Sequence, residues 1–169
     1  MHFIEPTDQA PYRTEVAPGL WGPGIATVVT EPGELPYITT ATVQPSGGRY
    51  LVTKLVAEQH GDGPPIQRGE LAKIGVDQFV RFTASHVLAR RGNRLGLPNY
   101  EAFFERVEKA RRVEDDDLPD LAAAYRWIRL QEGKPTTLLS RELGVSLATM
   151  KRWIARAADA GHLGREERG

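Results

Sequence analysis

The chain has 169 residues, of which 40% are apolar and 26% charged, with 22 cations against 22 anions. That balance is typical of a globular protein with one ordinary domain or two small ones. The lack of cysteine excludes disulfide frameworks, thiol catalysis and thiolate zinc sites, and fits a reducing compartment. No apolar run approaches the roughly 18 residues of a membrane span, and Met1-His2-Phe3-Ile4-Glu5-Pro6 has neither the cationic nor the apolar region of a signal peptide, so a cytoplasmic location without membrane association is expected.

The neutrality of the whole conceals an asymmetry. Residues 1–68 hold four Lys/Arg against seven Asp/Glu, residues 69–117 nine against nine, and residues 118–169 nine against six. The positive excess at the C-terminal end is small, which argues for a modest electrostatic footprint on any polyanion.

Residues 1–24 carry Pro6, Pro11, Pro18, Gly19, Gly22, Pro23 and Gly24, a density that predicts an irregular arm. The β-branched runs 25–30, 37–43 and 50–57, with Pro45-Ser46-Gly47-Gly48 as a turn, predict a three-stranded antiparallel meander whose strongest hairpin is centred on Gly47. From Gly69 the apolar period lengthens. Leu71, Ile74, Phe79, Phe82, Val87 and Leu88 predict a helix of about 20 residues, or two shorter ones hinged near Gly75, lying on the meander. Gly92 to Gly96 reads as a break, and Pro98 then starts a helix lined by Tyr100, Phe103, Phe104 and Val107. Arg111 and Arg112 suit the negative end of that helix. The acidic run Glu114 to Asp117 reads as linker and cap, with Asp117 as N-cap, Pro119 in the first turn and Asp120 beside it.

Residues 118–163 carry the most specific pattern. Leu121, Tyr125 and Ile128 form one stripe with Ala124 small beside it, and Gly133 and Pro135 end that helix. In the next, Leu138, Leu139 and Leu143 point inward, and Ser140 lets a third helix pass close. Gly144 permits a left-handed turn, Val145 plugs the corner, Ser146 caps, and Met150, Trp153 and Ile154 return to the core. The order apolar Leu139, small Ser140, apolar Leu143, Gly144, Val145, then Met150 and Trp153 resembles the helix-turn-helix pattern. Val145, Ser146, Thr149, Arg152, Trp153, Gly161 and Leu163 also resemble the C-terminal domains of uncharacterised actinobacterial or actinophage proteins. More weakly, that likeness takes in Arg49-Tyr50 and Gly69-Glu70-Leu71. It implies binding to double-stranded DNA, with helix 147–160 in the major groove.

Helical geometry leaves Ser146, Leu147, Ala148, Lys151, Arg152 and Ala155 outward. Ser146 and the first free amides suit a phosphate. Arg152 is the expected base contact, because a guanidinium bonds guanine through two parallel hydrogen bonds. Leu147 or Ala148 can touch a thymine methyl, and Lys151, Arg156, Thr136, Thr137 and Arg141 are expected on phosphates. Trp153 falls inward; Trp127, between Arg126 and Ile128, has no evident role.

Other chemistry finds little support. Glu58, His60 and Asp62 alternate in a Gly-rich loop, where a solvated role outweighs metal binding; His2, His86 and His162 are scattered; and Gly22-Pro23-Gly24 lacks the Lys-Ser/Thr of a phosphate loop. The helix-turn-helix resembles that of serine recombinases and transposases, but nothing upstream resembles their catalytic domains. The reading is a non-enzymatic α+β protein without metal or cofactor. It has a β-rich region 1–68 with a helix on the meander, a helical connector 69–116, and a three-helix DNA-binding domain 117–169. Its expected role is sequence-specific regulation of transcription or of a mobile element. The apolar helices from Leu71 to Val107 are the expected surface of a homodimer. The competing reading is a protein-interaction module in which the three helices are a scaffold and the acidic N-terminal region binds a protein or small ligand.

Overall fold

The computed structural model describes residues 1–4, 14–31, 33, 37–91, 94–98, 100–131 and 133–168. The fold is mixed α+β, with two antiparallel sheets preceding a helical C-terminal half. The first sheet has the order β1 (His2–Ile4), β4 (Ala26–Thr30), β5 (Tyr37–Ser46), β6 (Arg49–Gln59). The second has the order β2 (Thr14–Ala17), β3 (Leu20–Gly22), β7 (Leu88–Arg91), β8 (Arg94–Gly96).

The meander forms where the β-branched runs lie. Along β5, Tyr37, Thr39, Ala41 and Val43 turn inward while Ile38, Thr40, Thr42 and Gln44 are only half-buried, the alternation of a strand with one face on a core. Ser46 pairs with Arg49, so Gly47 and Gly48 are the whole turn. Their φ values of 58° and 74° are the left-handed pair that a two-residue hairpin requires.

Two expectations fail here. Residues 1–24 are not simply an irregular arm: His2–Ile4 adds an edge strand to β4, and Thr14–Ala17 and Leu20–Gly22 form a hairpin; residues 5–13 lie outside the described residues. Gly92 to Gly96 is not simply a break between helices, because Arg94–Gly96 pairs with Leu88–Arg91, which in turn pairs with β3; residues 92 and 93 lie outside the described residues. Gly96 ends the short edge strand β8, where few ladder bonds are needed.

Helix α2 (Val76–Ala84) lies on the first sheet through Phe79, Val80, Thr83 and Ala84, preceded by the single turn α1 (Arg68–Leu71) and capped at Gly75. Phe82 meets Phe3 of β1 and His86 at ring centroid distances of 4.9 and 4.8 Å, so His86 serves as packing. At the centre of this core Tyr50 is fully buried, and its hydroxyl donates to the Pro23 carbonyl at 2.8 Å. Burial pushes that phenol well above its ordinary range. Tyr50→Phe should therefore cost about 1 kcal/mol, because the carbonyl keeps no replacement donor; a urea melt showing no loss would place that carbonyl in water.

A second core joins α3 (Tyr100–Ala110), α4 (Leu118–Leu130), α5 (Pro135–Glu142) and α6 (Leu147–Asp159). Residues 69–116 are thus divided, α2 packing with the sheets and α3 with the C-terminal helices. Helix α4 bridges the two: Leu121, Tyr125 and Ile128 enter the helical core, Leu130 enters the β core, and Trp127 touches both. No helix among the described residues is long and apolar enough to cross a membrane.

Candidate nucleic-acid interface

Helix α5 ends as its sequence requires. The Val145 and Gly144 amides donate to the Ser140 and Arg141 carbonyls at 3.0 and 3.2 Å, closing the double bond of a Schellman motif. Gly144 has φ of 60°, the left-handed value that admits glycine without penalty. The Ser140 hydroxyl, buried, donates to the Val145 carbonyl at 2.6 Å and holds the corner. The chain then re-enters helix at once: Ser146 is extended, and its Oγ accepts from the Thr149 amide at 3.1 Å.

This turn sets α6 across α4 and α5. Met150, Trp153, Ile154 and Ala157 are buried against Leu139, Leu143, Leu121 and Tyr125. Ser146, Leu147, Ala148, Lys151 and Arg152 are exposed on the opposite side, with Ala155 half-buried at its margin. The Leu147 side chain, nearly half exposed, is the apolar tip of this surface. Among the described residues neither Lys151 nor Arg152 has an ion-pair partner. In the first turn of α5 Thr137 is exposed, Thr136 half-buried, and Lys134 at the N-cap supplies no side-chain bond to the free amides. Arg141 is exposed and bonds its neighbour Glu142 at 3.0 Å, a surface pair of little energetic weight.

Two residues and one surface depart from expectation. Arg156 does not extend outward: its guanidinium donates to the Val113 carbonyl at 2.9 Å and to Asp115 at 2.6 Å, tying α6 to the linker before α4. Asp117, at the N-cap position of α4, makes no side-chain cap there. Its buried carboxylate instead accepts from Arg106 of α3 and from the Glu114 amide, locking α3 to α4. The apolar faces of α2 and α3, the expected dimer surface, are already covered by the chain's own cores through Phe79, Val80, Phe103 and Val107.

Two residues take roles that the sequence pattern does not reveal. Arg111 follows α3 with φ of 54°, its amide donating to the Val107 carbonyl at 2.8 Å. Its exposed guanidinium passes over the turn, 3.1 Å from the point that a Cβ on Gly144 would occupy. The missing side chain of Gly144 therefore serves both the backbone turn and the placement of a cation beside the α6 N-terminus. Arg126 is the second. Its guanidinium forks onto Glu167 at 2.6 and 2.8 Å, and also donates to the carbonyls of His162 and Pro18.

Glu58, His60 and Asp62 are exposed, and among the described residues no group of three His, Asp or Glu has the geometry to hold a metal ion. Comparison with known proteins matches no protein family, no curated protein and no solved structure.

Proposed function

We propose that the chain is a sequence-specific duplex DNA-binding protein, a regulator of transcription or of a mobile element, that reads the major groove with α6. The observation that carries the reading is the division of α6 into two faces. Its inner face is used in the trihelical core, while its outer face presents Lys151 and Arg152, without an ion-pair partner among the described residues, beside the apolar Leu147 and Ala148. Arg152 takes the base contact, Leu147 or Ala148 a thymine methyl, and Lys151, Arg141, the Ser146 turn and the Thr136–Thr137 turn take phosphates. Arg111 joins the phosphate contacts in place of Arg156, which is held by Val113 and Asp115.

Three phosphate-facing cations, Lys151, Arg141 and Arg111, give a salt slope of about −3 per protomer. Such a footprint calls for a second copy to double the site. Arg152→Ala should weaken binding to a selected duplex about 10- to 100-fold, whereas Arg111→Gln should flatten the salt slope by about 1 without altering base preference. Selection from a random duplex pool, followed by anisotropy titration across salt, measures both. Absent binding, or binding indifferent to salt and to Arg152→Ala, would favour the scaffold and protein-interaction reading instead.

A further inference from the structure

A cleft of about 430 Å³ lies where α2, α3, α4 and α5 meet, within the size range of small-ligand sites. Three half-buried aromatic rings line it, Tyr100 and Phe104 from α3 and Trp127 from α4. Tyr100 stands 5.4 Å from Trp127 and 6.4 Å from Phe104, centroid to centroid, in tilted arrangements. Ile128 and Leu138 complete an apolar floor. Among the described residues the charged lining is Arg81 of α2 and Arg141 and Glu142 of α5. Arg81 pairs with Asp77, and Arg141 with Glu142, both in exposed pairs that exchange partners at little cost.

We propose that this cleft binds a free aromatic carboxylate of about two fused rings and that its occupation weakens DNA binding. Flat aromatic walls select a flat apolar body, and guanidiniums at the mouth select a planar anion that can be held bidentately. Arg141 belongs to both sites. It lines the cleft and stands on α5 among the phosphate-facing residues, so a carboxylate that recruits it withdraws a cation from the DNA surface. By linkage, duplex must weaken the acid by the same factor. The coupling rests on the DNA-binding reading above; the cleft does not.

Calorimetric titration of the full chain with 2-naphthoate, with no DNA present, tests the site alone. One site with Kd on the order of 0.1 mM is expected, with 2-naphthamide and the Arg81→Gln variant each weaker by about fivefold. No saturation by about 5 mM, equal affinity for acid and amide, or indifference to Arg81→Gln would overturn it. Because Arg81 is exposed, Arg81→Gln should melt as wild type; Phe104→Leu, which removes one wall, should also weaken 2-naphthoate. An unchanged affinity in Phe104→Leu counts against the cleft. Anisotropy titration of a selected duplex in saturating 2-naphthoate then reads the coupling. A rise of about threefold or more in duplex Kd supports it, and Arg81→Gln without the acid should leave duplex Kd unaltered. An unchanged Kd in saturating acid overturns the coupling while leaving the site. A chain that binds 2-naphthoate but no duplex overturns the DNA reading and leaves the cleft standing.

Discussion

Trp153→Ala should lower unfolding free energy by about 4 kcal/mol and, on the proposed DNA-binding function, abolish duplex binding, while Arg152→Ala, one residue earlier on the same helix, should leave the melting temperature unchanged. The contrast follows from which way each side chain points. Trp153 is 4% exposed and fills the space between α4 and α5, whereas Arg152 is exposed without an ion partner among the described residues. Helix α6 has 13 residues, close to the length at which an isolated helix is marginal in water, so its stability comes from the packed face. Truncating an indole there leaves a cavity that neighbours held by the Schellman turn and by Arg156 can only partly close. For a chain of this length the loss corresponds to a melting shift of roughly 10 °C, read by circular dichroism. A Trp153→Ala melt within a degree or two of wild type would mean that the three helices do not share one core, and the interface built on them would go with it.

How much was legible from sequence depends on whether the determining contacts are local. The helix-turn-helix was read residue by residue because its constraints are short in range: Leu139, Ser140, Leu143, Gly144, Val145, Ser146, Met150 and Trp153 each act within one turn or one helical period, and all take the expected places. The second sheet was not. Strands of three or four residues carry too little alternation to detect, and β3 pairs with β7 across most of the first half of the chain, Leu20 opposite Ala89. The cations fail for a related reason. A helical wheel places Cβ atoms, but an arginine guanidinium travels several ångströms from its Cβ; Arg156 reaches back to Val113, Arg111 reaches over Gly144, and Arg126 reaches a residue 41 positions away. Asp117 shows the same limit, its cap position being correct and its carboxylate claimed by Arg106.

Arg126→Met should cost about 3 kcal/mol at neutral pH, and the cost should shrink as the solution is acidified. The pair is well shielded, with side-chain exposures of 13% and 12%, so removing the guanidinium leaves a carboxylate largely out of water. Burial by itself raises the Glu167 pKa, but the hydrogen bonds from Arg126 and the Gly164 amide, with the nearby charges of Arg126 and Arg129, outweigh it and hold the group below the ordinary glutamate value of 4.5. A folded pKa below the unfolded one gives stability that is complete above pH 4.5 and drains away as pH falls through the lower folded value. In Arg126→Met the hydrogen bond and charge of the guanidinium are gone, so burial is opposed only by Gly164 and Arg129 and Glu167 takes up its proton more readily than in wild type. Acidification therefore costs the variant less than it costs wild type, and the two curves converge toward low pH. Urea melts of both proteins at pH 7 and near pH 3.5 measure the gap; a gap that stays constant would show that Glu167 does not answer to Arg126. Pairing the change with Glu167→Met should restore most of the loss, since two apolar groups of similar volume leave no charge unpartnered. The clasp matters for more than stability. Arg126 also donates to the Pro18 carbonyl of the β2–β3 turn and to His162 after α6, and Tyr125 donates to the Glu167 carbonyl. One guanidinium on α4 thereby fixes the C-terminal tail and the end of α6 to the β region. Its loss should loosen the helical core from the sheets before either core melts.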